Sequence, residues 1–128
     1  MIKLRDLITE ALDEKEVIMI SRPQGVSALY RGSLRQGGVA SIDNVGDGSW
    51  WVSRVLISNW REMGRLGIGS DLLQRAIKEV LKYDPKARII VEPGGYDMDT
   101  QSQINFYRKN GFVDIPDQKG VLVYGGNQ

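Results

Sequence analysis

The chain has 128 residues, 41% hydrophobic and 26% charged, the size and balance of one globular domain with a single core. A formal net charge of +1 gives no electrostatic basis for bulk nucleic-acid binding. With no cysteine and no histidine, disulfides, thiolate nucleophiles and thiolate or imidazole metal sites are excluded, so acid–base work falls to carboxylate, tyrosine, lysine or a relayed water.

Residues 2–14 place Leu4, Leu7, Ile8, Ala11 and Leu12 on one face of a helix, with charges of both signs opposite. That is the pattern of a helix packed on a core. Glu16 to Ser21 reads as a strand, Pro23-Gln24-Gly25 as a turn, and Val26 to Leu34 as a second strand with Gly32 as a candidate bulge. Gln36-Gly37-Gly38 suits a hairpin turn before a strand from Val39 to about Val45. Gly46-Asp47-Gly48 then turns into a long strand, Trp50 to Ile57. These strands predict an antiparallel meander. No apolar run is long enough to span a membrane and no signal-peptide core is visible, so a cytoplasmic protein without a membrane partner is expected.

The best-defined element is a helix from about Gly67 to Tyr83, where Leu72, Leu73, Ala76, Ile77, Val80 and Leu81 form a continuous stripe. Asp71 near its start and Lys78 and Lys82 near its end complement the helix dipole, and Pro85 terminates it. Ala87 to Val91 is short and nearly all apolar, as in an interior strand covered by its neighbours. Strand, helix, strand implies a right-handed parallel crossover. Thr100-Gln101-Ser102-Gln103 reads as a capping box for a helix from Gln101 to Lys109, with Gly111 as its C-terminal glycine. Phe112 to Ile115 and Val121 to Tyr124 are the last strands, separated by Pro116 to Gly120.

The turn Gly64-Arg65-Leu66-Gly67-Ile68-Gly69-Ser70 joins the Trp50–Ile57 strand to the long helix. A helix start offers unpaired amides and a positive dipole end, and glycine lets an anion approach the backbone. A nucleotide P-loop is excluded because the chain contains no Gly-Lys pair. A dinucleotide fingerprint beginning at Gly67 and Gly69 would need its third glycine at Leu72. On the loop alone, a phosphate site and a tight connection with Ser70 as N-cap stand level.

The second motif is Ile104-Asn105-Phe106-Tyr107-Arg108-Lys109-Asn110-Gly111-Phe112. Phe-Tyr and Gly-Phe at this distance beyond a Gly-x-Gly helix start resemble the GCN5-related N-acetyltransferase (GNAT) family over roughly Trp50 to Phe112. Gly67 and Gly69 fit the glycines of the family pattern Gln/Arg-x-x-Gly-x-Gly/Ala. Gly64 stands where the family has Gln or Arg, with Arg65 beside it and Arg61 nearby. Thr100 and Gln103 stand where the family often has Asn and Ala.

The resemblance implies an α/β (α+β) fold with a mixed, mostly antiparallel central sheet, a parallel strand pair splayed at its C-terminal ends, and flanking helices. It implies acetyl-CoA as co-substrate, an amine acceptor, no metal, and direct acetyl transfer; it leaves a homodimer open. The CoA pyrophosphate would sit on Leu66, Gly67, Ile68, Gly69 and Ser70 with Arg65 as a guanidinium donor. Pantetheine would run beside Leu56 and Ile57. Tyr107 would be the general acid, against the alternative of a buried aromatic with a satisfied hydroxyl. Glu92 is the first candidate for the base and Glu62 the second. Arg108 and Lys109 are either contacts for the 3′-phosphate or exposed helix charges. Trp50, Trp51 and Trp60 are candidates for an acceptor pocket or for packing. The departures at Gly64, Thr100 and Gln103 keep open a non-catalytic module that binds CoA or a protein.

Overall fold

The computed structural model describes residues 17–31, 37–57, 67–94 and 100–125. The helix expected over residues 2–14 lies outside the described residues, as do Gly32, Trp60, Arg61, Glu62, Gly64, Arg65 and Leu66.

Four strands form the expected meander: β1 (Val17–Arg22), β2 (Gly25–Arg31), β3 (Gly37–Gly46) and β4 (Ser49–Ile57). Helix α1 (Ile68–Tyr83) follows, then β5 (Arg88–Val91), helix α2 (Thr100–Lys109), β6 (Phe112–Ile115) and β7 (Gln118–Tyr124). The strands make one seven-stranded sheet in the order β1-β2-β3-β4-β5-β7-β6. β4 and β5 are parallel; the other neighbouring pairs are antiparallel. This is the mixed sheet that the sequence motifs imply.

Alternation along the strands sends Val26, Ala28, Tyr30, Ala40, Ile42, Trp50 and Val52 to one buried face. The stripe of α1 lies on that face, burying Ile68, Leu72, Leu73, Ala76, Ile77 and Val80. Tyr83 closes α1, Asp84 is extended with φ −143°, and Pro85 follows, so the proline's constraint on its predecessor ends the helix there. β5 is parallel to β6, because β7 is antiparallel to both. The crossovers β4-α1-β5 and β5-α2-β6 step the same way along the sheet. Right-handedness therefore puts both helices on one face. Hydrogen bonds between α1 and the end of α2 agree with this. The opposite face carries the exposed side chains Ile18, Trp51, Leu56 and Val113.

Two strands take in residues that the sequence suggests as turns. Gly37 and Gly38 belong to β3, paired with Arg31 and Tyr30. The glycine at position 38 serves packing: a Cβ there would lie 2.7 Å from Ile57 Cδ1 and 3.0 Å from Leu72 Cδ1. β7 begins at Gln118, so the turn is Pro116-Asp117 alone. Ile115 pairs Gln118 across a register shift, and Gly120, at φ +83°, lies within the strand.

Candidate functional site

The parallel register of β4 and β5 comprises Ser49–Arg88, Trp50–Ile89 and Trp51–Ile90. β4 then runs on to Ile57, while Ile90 and Val91 of β5 pair with Val123 and Leu122 of β7. Beyond Trp51 and Ile90, β4 and β5 have no further register pair among the described residues. The parallel pair expected of the strands ending at Ile57 and Val91 is present, and its pairing stops at Trp51 and Ile90. Leu56 is 39% exposed and Ile57 half-buried on the β4 side of the opening.

α1 begins beside that opening. Gly67 is its N-cap, with φ 75° and ψ 13°, a left-handed conformation in which a Cβ is strained. Ser70, read as a possible N-cap from sequence, instead sits inside the first turn, because the left-handed glycine starts the helix three residues earlier. The first intrahelical bond at this end runs from Asp71 N–H to Gly67 O, at 3.0 Å. The amides of Ile68, Gly69 and Ser70 precede it and so have no intrahelical acceptor. The dipole makes this end positive. Arg65 and Leu66, assigned to the same anion, lie outside the described residues.

The two sequence motifs meet at Gly69. A Cβ placed on it would lie 3.4 Å from Phe106 Cε1 and 3.5 Å from Ile57 Cγ1. One point thus brings the end of β4, the first turn of α1 and the middle of α2 into van der Waals reach. Tyr107 is the next residue on α2. It is 6% exposed, with its ring edge-on to Phe106 at 5.2 Å and to Phe112 at 5.4 Å. Those contacts fix the ring in the core beside the motif. Phe106 packs against the core, as expected.

Glu92 immediately follows β5, past the last pair with β4, and is exposed. It stands on the β5 side of the opening. Arg108 is engaged elsewhere: its Nη2 donates to both carboxylate oxygens of Asp114, at 3.2 and 2.9 Å. Lys109 is exposed. Trp50 is buried and stacks on Tyr83 at 6.4 Å, whereas Trp51 is 36% exposed on the other face. Of these two, only Trp51 is available to a solvent-borne group. Thr100 is the first residue of α2, and the Gln103 carboxamide accepts the Gly94 N–H at 2.9 Å, tying the segment after β5 to that helix.

Sequence reasoning passed over Asn110 and Gln74. Asn110 is 8% exposed, the one buried polar residue among those described. It bonds to Ser70 and Phe106, and Gln74 bonds to it. The signal was an asparagine before a helix-ending glycine, which reads equally well as ordinary capping chemistry.

Chemically, the arrangement offers donors for an anion at α1, apolar side chains at Leu56 and Ile57 on the two faces of the β4 end, a phenol on α2 and a carboxylate after β5. No protein-family profile and no curated protein matches the sequence. Solved structures do. A Klebsiella pneumoniae protein assigned as an acyl-CoA N-acyltransferase is 20% identical with TM-score 0.56, over 92% of this chain and 81% of its own. A GNAT-family acetyltransferase from Staphylococcus aureus is 22% identical with TM-score 0.57, over 76% of this chain and 57% of its own. The anti-CRISPR protein AcrVA5 is 20% identical with TM-score 0.56, over 77% of this chain and 98% of its own. The match thus spans little more than half of the staphylococcal protein and nearly all of AcrVA5. These likenesses establish the fold of this chain as the GNAT fold.

Proposed function

We propose that this GNAT-fold chain is an acetyl-CoA-dependent N-acyltransferase that moves an acetyl group directly to an amine, on a small molecule or on a protein lysine or N-terminus. The reading is carried by the end of the β4–β5 pairing beside the N-terminal turn of α1 and the Phe106–Tyr107 segment of α2. The solved relatives that are named as acetyltransferases add support at the level of fold.

In this reading the CoA pyrophosphate takes the amides from Leu66 to Ser70, with Arg65 beside them. Pantetheine lies along Leu56 and Ile57 and brings the thioester between the strands. The acceptor ammonium loses a proton to Glu92, directly or through water. The neutral amine attacks the thioester carbon, and a backbone amide near Ile57 donates to the oxyanion. The C–S bond then breaks, the electron pair leaves on sulfur, the Tyr107 hydroxyl protonates the thiolate, and the second proton shed by the amide nitrogen restores the phenol through water. The products are an N-acetyl amide and CoA.

The experiment is thiol release from acetyl-CoA over a panel of amines, run for the wild type and Tyr107→Phe. An acyltransferase gives amine-dependent thiol with an acetylated product by mass, and the variant loses about 100-fold in turnover. Binding of acetyl-CoA without amine-dependent release from any acceptor class identifies a non-catalytic CoA-binding module instead. Turnover undiminished in Tyr107→Phe rejects the tyrosine as acid.

A further inference from the structure

The buried amide of Asn110 joins the two motifs, and its hydrogen bonds have a definite direction. Asn110 Nδ2 donates to the Phe106 carbonyl at 2.9 Å and to Ser70 Oγ at 3.1 Å. A carbonyl oxygen can only accept, so the Phe106 bond fixes which end of the amide is nitrogen. Gln74 Nε2 donates to the Asn110 carbonyl at 3.0 Å, which fixes the glutamine in the same way, and also reaches Asn110 Oδ1 at 3.3 Å. Both Nδ2 hydrogens are therefore directed, one to Phe106 and one to Ser70. Ser70 Oγ must accept. Its own hydrogen is not used in this bond, and no described residue receives it.

We infer that Asn110 is a positioning residue: by making Ser70 Oγ an acceptor, it leaves the Ser70 hydroxyl hydrogen to join the amides of the first turn of α1 as a donor to the CoA diphosphate. The inference rests on the proposed function, since it refines the diphosphate end of that site. It also couples that end to the acid. Asn110 N–H bonds the Tyr107 carbonyl at 3.0 Å, so one residue is tied both to the phosphate-facing turn and to the helix turn that carries the phenol. A serine whose hydrogen was spent on the protein would turn lone pairs toward an anion. Asn110 prevents that with a group that has donors to give on this side.

The test compares Ser70→Ala, Asn110→Ala and the double variant with the wild type, using two ligands. Acetyl-CoA carries the diphosphate; S-acetylpantetheine keeps the thioester arm and lacks it. Dissociation constants come from NMR titration. Each single variant is expected to weaken acetyl-CoA about tenfold, because the lost donor served a charged group. The double variant is expected to bind no more weakly than the singles, since both remove the same hydrogen bond. S-acetylpantetheine is expected to bind all four proteins alike. Ser70→Ala keeps the Phe106 and Gln74 bonds, so it carries the test even if Asn110→Ala fails to fold. Unchanged acetyl-CoA binding in Ser70→Ala, additive losses, or equal weakening of both ligands would overturn the inference. If the wild type binds neither ligand, the proposed function itself falls and this refinement falls with it.

Discussion

Replacing Gly67 with alanine separates backbone strain from contact at the mouth of the candidate site. Among the described residues nothing lies within 4 Å of a Cβ built at this position, so none of them clashes with it. The cost is conformational: φ is +75°, where an L-residue costs about 1–2 kcal/mol. Reduced freedom of the unfolded chain returns about 0.4–1 kcal/mol. The net loss is about 1 kcal/mol, which for a domain of this length lowers Tm by roughly 3–5 °C. Thermal denaturation followed by circular dichroism, without ligand, reads it directly. Gly67→Asn is expected to lose less, because asparagine tolerates the left-handed region better. Gly69→Ala is the control: its Cβ meets Phe106 at 3.4 Å, close to ordinary contact, and its φ is not left-handed, so Tm holds at or rises slightly above the wild-type value. A Gly67→Ala protein as stable as the wild type would refute the left-handed cap and the loop geometry built on it.

Other predictions concern the core and the two sides of the opening. Phe112→Ala removes a ring that is 2% exposed and packed on Tyr107 and Tyr124, and is expected to cost about 3–5 kcal/mol in urea denaturation. Glu92→Gln, at an exposed position, should change stability by less than about 0.5 kcal/mol while lowering turnover and leaving acetyl-CoA affinity unchanged. Loss of affinity in that variant would place Glu92 in binding rather than proton transfer. Tyr107→Phe keeps the ring contacts with Phe106 and Phe112, so calorimetric binding of acetyl-CoA should persist as turnover falls.

Much of this fold was legible because its signals are local. The α1 stripe from Leu72 to Val80, its stop at Pro85 and the glycine at 111, with φ +94°, all follow from periodicity and backbone conformation. What escaped depends on tertiary packing. Gly37-Gly38 resembles a turn in sequence, and only the approach of Ile57 and Leu72 explains a glycine inside β3. Ser70 has the chemistry of an N-cap, yet Gly67 caps the helix and Ser70 is recruited by Asn110, 40 residues away. The convergence of Ile57, Gly69 and Phe106 was foreshadowed by motif order, while the polar joint through Asn110 and Gln74 was not. No single-residue pattern encodes a bond between the start of one helix and the end of another.

Calorimetric titration of the full chain with acetyl-CoA tests the central claim most directly. The account predicts saturable binding of one molecule per chain, with a dissociation constant between about 1 μM and 1 mM. The absence of saturable heat up to about 1 mM acetyl-CoA would contradict it, leaving the GNAT fold without its co-substrate.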